Sequence, residues 1–147
     1  MADIEQQIEH AALRRLYRYW LEKRRGRSMP APGDIDPLEL KFVLGNLILV
    51  DVEQPSGKFR VRLYGSNLAQ RMGYDITGKY MDEHPLPAFA ESVTRRFARV
   101  AQSAQPLAER AEFFVEGRAH RFDGLILPLS ADGESVDRLL VGVMRDT

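Results

Sequence analysis

Residues 58–80, K-F-R-V-R-L-Y-G-S-N-L-A-Q-R-M-G-Y-D-I-T-G-K-Y, change their hydrophobic period at Gly65. Before it, Phe59, Val61 and Leu63 alternate with Arg60, Arg62 and Tyr64, which predicts a strand with one apolar and one polar face. After it, Leu68, Ala69 and Met72 recur at helical spacing, Ser66 is placed to cap the turn, and Gly73 suits a left-handed C-terminal position. Upstream, Leu13, Leu16, Tyr17, Trp20 and Leu21 mark one face of a helix over residues 4–25, about 30 Å long at 1.5 Å per residue. That exceeds what one sheet face of a small domain needs, so the stripe either packs on its own sheet or meets a second subunit.

Residues 26–33, with Pro30 and Pro32, form a linker that cannot continue this helix. Asp36 as N-cap, Pro37 in the first turn and Glu39 placed for a capping box predict a second helix, ending by Gly45. The apolar run 47–52 predicts a buried strand, joined by the turn 54–57 to the Phe59 strand as a hairpin. Phe89, Val93, Phe97 and Val100 define a helix over 88–103. Strands then follow at 107–115, 119–129 and 136–145, separated by Glu116-Gly117 and Ala131-Asp132-Gly133. In the last strand Leu139, Leu140, Val141, Val143 and Met144 are apolar on both sides, as in a central strand covered on both faces.

The order strand, Gly65, short helix, Gly73, loop, Gly78 resembles the sensory PAS domain family. Residues 16–37, L-Y-R-Y-W-L-E-K-R-R-G-R-S-M-P-A-P-G-D-I-D-P, resemble the opening of small bacterial proteins that are little more than one PAS domain. The resemblance implies an α+β fold: a five-stranded antiparallel sheet with helices on one face and a long N-terminal helix flanking it. It divides the chain into a flanking helix and linker, 1–30, and a PAS-like domain, 31–147. It implies a sensory or regulatory module that binds a small ligand and signals to a separate partner protein, with no output domain on this chain and a homodimer through the N-terminal helix. The alternative is a ligand-free interaction or dimerisation adaptor.

Composition narrows the chemistry. At 147 residues, 44% hydrophobic and 29% charged, the chain has the size and balance of one globular domain. Lys plus Arg equals Asp plus Glu at 21 each, so bulk charge argues for neither nucleic acid nor an anionic membrane. The basic residues Arg14, Arg15, Arg18, Lys23, Arg24, Arg25 and Arg27 read as a solvated face with cations near a helix C-terminus. There is no cysteine, which removes disulfides, thiolate metal sites and cysteinyl-flavin chemistry. No apolar run approaches the roughly 18 residues of a membrane span, and the polar start is unlike a secretory leader. A cytoplasmic protein is expected.

No G-x-S-x-G elbow, H-E-x-x-H pair or G-x-x-x-x-G-K-[ST] loop is present, so no enzyme activity is expected. The histidines, His10, His84 and His120, show no metal-ligand spacing, and the 88–103 helix offers no histidine to a haem. The cofactor is left unknown. Candidate ligand-binding residues in the resembled pocket are Met72, Tyr74, Tyr80, Phe89, Phe97, Phe113 and Phe122, with Asn67 and His84 as orienting polar groups. The competing reading is that these aromatic side chains fill an ordinary packed core.

Overall fold

The computed structural model describes residues 4–115 and 117–145, with the side chains of Phe113 and Val115 outside that description. The chain opens with a 3-10 turn, Ile4–Gln7, and helix α1, Ala11–Arg24. The continuous helix expected over 4–25 is interrupted because His10 is extended and its Nδ1 accepts the Ala12 N–H at 3.2 Å, capping α1. With 14 residues, α1 is about 21 Å long.

The apolar stripe of α1 packs on the sheet of its own domain. Leu13, Leu16, Tyr17 and Trp20 are buried, and the Trp20 indole N–H donates to the Pro128 carbonyl at 2.9 Å. Leu13 and Leu16 rest directly on the sheet at Gly142: a β-carbon there would lie 2.7 and 2.9 Å from their methyl groups. The basic outer side of this end is matched by acids, with Arg18 2.5 Å from Glu5, Lys23 3.2 Å from Glu39 and Arg27 2.6 Å from Asp34.

The second expected helix divides into 3-10 turns at Pro37–Leu40 and Leu44–Asn46. Asp36 does cap the first, accepting the Leu38 N–H at 3.0 Å. Glu39 closes no capping box, because its carboxylate is taken by the Tyr19 hydroxyl at 2.8 Å and by Lys23. Burial, with the Glu39 hydrogen bond and charge beside it, pushes the Tyr19 phenol up to about 12.

Strands β1 (Leu47–Val52), β2 (Phe59–Tyr64), β3 (Leu107–Val115), β4 (Arg118–Leu129) and β5 (Arg138–Arg145) form one sheet in the order β2-β1-β5-β4-β3. Every neighbouring pair is antiparallel. The two hairpins are thus bridged by β5, which inserts between β1 and β4. Its doubly apolar pattern is explained by that central place: Val141 and Val143 face one way, Gly142 the other. Helix α2 (Ser66–Met72) and helix α3 (Pro87–Ser103) cover the face opposite α1. The N-cap of α2 is Gly65 rather than Ser66, and Gly73, at φ 81°, ends it as expected.

Candidate functional site

Between the sheet and the helices α2 and α3 lies a cavity of about 90 Å³. Because alternate residues of a strand share a face, its floor is made by Ile48 of β1, Val141 and Val143 of β5, and Phe122, Gly124 and Ile126 of β4. Leu107 and Ala111 of β3 extend the floor to the sheet edge. The roof comes from Leu68 and Met72 of α2, Met81, and Phe89, Val93 and Phe97 of α3. The helical spacing of the α3 residues places them all on its sheet-facing side. Gly124 matters to the volume: a β-carbon there would touch only the Glu109 carbonyl, at 3.7 Å, so the missing side chain leaves open space.

Two polar groups adjoin this apolar wall. Arg96 of α3 and Glu109 of β3 both line it and pair with each other, and Arg99 stands 3.8 Å from the same carboxylate. The second group is Tyr64, Tyr74 and His84. Tyr64 lines the cavity, Tyr74 lies against it with ring centroids 6.2 Å apart, and the Tyr74 hydroxyl meets His84 Nε2. His84 is 4% exposed, lies against Phe89, and accepts the Leu86 N–H on Nδ1 at 3.0 Å. Since Nδ1 is an acceptor, the neutral ring carries its proton on Nε2 and donates it to Tyr74. Burial pulls the His84 pKa below its ordinary 6.5 and pushes the Tyr64 phenol up to about 12. Burial, with Tyr64 alongside, holds the Tyr74 phenol well above its usual range. A neutral, hydrogen-bonded relay therefore backs one end of the cavity.

A sheet of this strand order, with a cavity under helices on one face, is matched by a family model described as a PAS domain, over residues 8–145. The chain belongs to the PAS domain family. Such domains are in general sensory rather than catalytic. Among solved structures, the PAS domain of BvgS from Bordetella pertussis is 20% identical at a TM-score of 0.58, over 77% of this chain and 88% of that one. The PAS domain of the histidine kinase ThkA is 15% identical at 0.52, over 69% and 97%. A LOV protein from Rhodobacter sphaeroides is 13% identical at 0.52, over 76% and 68%. At these identities the likeness shows the PAS fold alone. No curated protein matches this chain.

Within this PAS domain, Met72, Phe89, Phe97 and Phe122 of the sequence candidates stand on the cavity wall. Tyr74 and His84 stand one layer behind it, reaching the wall through Tyr64 and Phe89. Asn67 and Tyr80 point elsewhere. The Asn67 amide donates to Asn46 Oδ1 at 2.9 Å, and the Asn46 amide donates to the Val143 carbonyl at 2.9 Å, which ties α2 to the sheet. The Tyr80 hydroxyl donates to Glu53 at 2.5 Å and accepts from Arg60 at 2.7 Å, outside β2; Tyr80 and Arg60 hold the Glu53 carboxyl below its usual range. The Phe113 side chain lies outside the described residues. His120 stacks near Phe122, with Nδ1 buried and without a hydrogen-bond partner among the described residues.

Sequence reasoning missed Gly124, Arg96 and Glu109. A glycine within the strand pattern R-F-D-G-L-I-L was the available signal, since interior strand glycines mark close approach of a ligand or another backbone. The ion pair gave none, because a charged residue on a helix reads as solvated. Among the described residues, no group of three His, Asp or Glu side chains could hold a metal ion, and no helix is long and apolar enough to cross a membrane.

Proposed function

We propose that this PAS domain is a sensory module whose input is a small molecule in the cavity beneath α2 and α3. The observation that carries the reading is a cavity with an apolar wall and a floor left open at Gly124, where a filled core would place a side chain. The ligand-binding group is Met72, Phe89, Phe97 and Phe122 on the wall, with Tyr74 and His84 behind it. Occupancy shifts the molecule between two arrangements to the extent that the ligand prefers one of them. The state is passed to a separate partner protein, without catalysis, in the cytoplasm. We also propose a homodimer through α1. Its contacts would lie on the exposed side of that helix, since Trp20 is 2% exposed and inside the core.

The adaptor reading has its own supporting observation. The cavity, at about 90 Å³, is small, and Phe114 is 72% exposed on edge strand β3 beside Leu86 and Pro87. Native mass spectrometry of the gently purified chain separates the two. The sensory reading expects a non-covalent small molecule on the parent, absent from a folded Gly124→Val variant. A parent that carries no adduct, or a variant that retains it, would favour the adaptor.

A further inference from the structure

The cavity's wall narrows the class of molecule that it would take. Among the described residues, the charged side chains on that wall are Arg96 and Glu109. They face each other across the gap between α3 and β3, with side chains 26% and 34% exposed. Arg99, one turn beyond Arg96 on α3, approaches the other oxygen of the same carboxylate at 3.8 Å. Two guanidinium groups therefore share Glu109, and its carboxylate has a second cation to turn to if Arg96 is engaged by something else. A guanidinium presents its N–H groups in a planar fork that fits a carboxylate.

From these residues we propose that the ligand is a small monocarboxylate with a compact apolar body. The body sits among Val93, Phe122, Ile126 and Val141, over the open floor at Gly124. The carboxylate takes the place of Glu109 on Arg96, while Glu109 stays with Arg99. A cationic ligand is disfavoured because it would bring a third positive group to one carboxylate. A ligand with polar groups spread around it is disfavoured too, since the apolar wall would leave those groups without partners. The volume restricts the body to a few carbon atoms, with the flexible side chains of Met72 and Met81 able to adjust around it.

This inference rests on the sensory reading, and the test separates the two. Isovalerate and 3-methylbutan-1-ol share a carbon skeleton and differ in charge. Each is titrated into the methyl-labelled full chain, following the Val93, Ile126 and Val141 signals. Both are expected to shift those signals, with isovalerate binding about tenfold or more tighter, as a charge-assisted contact would give. Arg96→Gln should abolish that advantage and leave the alcohol's affinity unchanged. Glu109→Gln, which removes the competing carboxylate, should tighten isovalerate and keeps the test decisive if the Arg96 variant fails to fold. If the alcohol binds in the cavity and isovalerate binds no better, or if Glu109→Gln leaves isovalerate unchanged, the carboxylate inference falls while the cavity remains a binding site. If neither probe moves the cavity methyls, the sensory reading falls with it.

Discussion

Gly65 and Gly78 are both required by the backbone, for different reasons. Gly65 has an ordinary φ of −57°, but a β-carbon there would lie 2.3 Å from the Gly45 carbonyl oxygen, so it serves the close approach of two segments. Gly78 has open space around it and a φ of +86°, so its requirement is conformational. Valine at Gly78 should cost about 1–3 kcal/mol through strain. At Gly65 it should cost more, because backbone must move. Urea melts that gave parental midpoints for both variants would remove this account. The need for glycine at Gly65 was legible from the strand-to-helix switch, but its cause was not, since Gly45 meets it only after folding. His84 gives a pH prediction. Its folded pKa lies below the unfolded value of 6.5, so the unfolded chain binds more protons between the two. Stability should therefore be full above about pH 6.5 and decline as pH falls toward the folded value. Urea unfolding of the parent and His84→Gln across pH 5 to 8 checks this, and an equal decline in both would show that His84 does not carry it.

Elements with a sustained period were readable in the sequence. The stripe of α1, the alternation of β2, the helix spacing of α3 and the doubly apolar β5 all correspond to what surrounds them in the fold. Boundaries set by local side-chain competition were less so. His10 caps α1 through a ring nitrogen, and Glu39 serves Tyr19 and Lys23 instead of its own turn, so the first helix came out shorter and the second split. The destination of the α1 stripe was equally open, because an apolar helix face fits its own sheet and a partner alike. The contact of Trp20 with Pro128, and of Leu13 and Leu16 with Gly142, assigns it to the sheet. Trp20→Ala should accordingly destabilise the domain by about 3–5 kcal/mol, the usual loss on truncating a buried aromatic residue. A variant that stays as stable as the parent and only changes its sedimentation would place Trp20 at a subunit interface instead.

At the scale of the whole molecule, two hairpins joined through a central β5 make a sheet with one face sealed by α1 and the other roofed by α2 and α3. The sealed face is close-packed down to the backbone of Gly142, whereas the roofed face keeps a cavity over Gly124. Aromatic and sulfur side chains in phase with a helix or strand, such as Met72, Phe89, Phe97 and Phe122, could be assigned to that cavity from the sequence. Residues in loops could not, because no period fixes their direction: Tyr74 and His84 turned behind the wall and Tyr80 turned outward to Glu53. The void itself was invisible, since it is made by an absent side chain. Everything proposed for this PAS domain depends on that void accepting an apolar guest, and a crystal pressurised with xenon tests it directly. Xenon should bind between Val93, Ile126 and Val141 above Gly124, as it does in dry apolar cavities. A continuous side-chain core there, with no xenon at that position, would contradict the account.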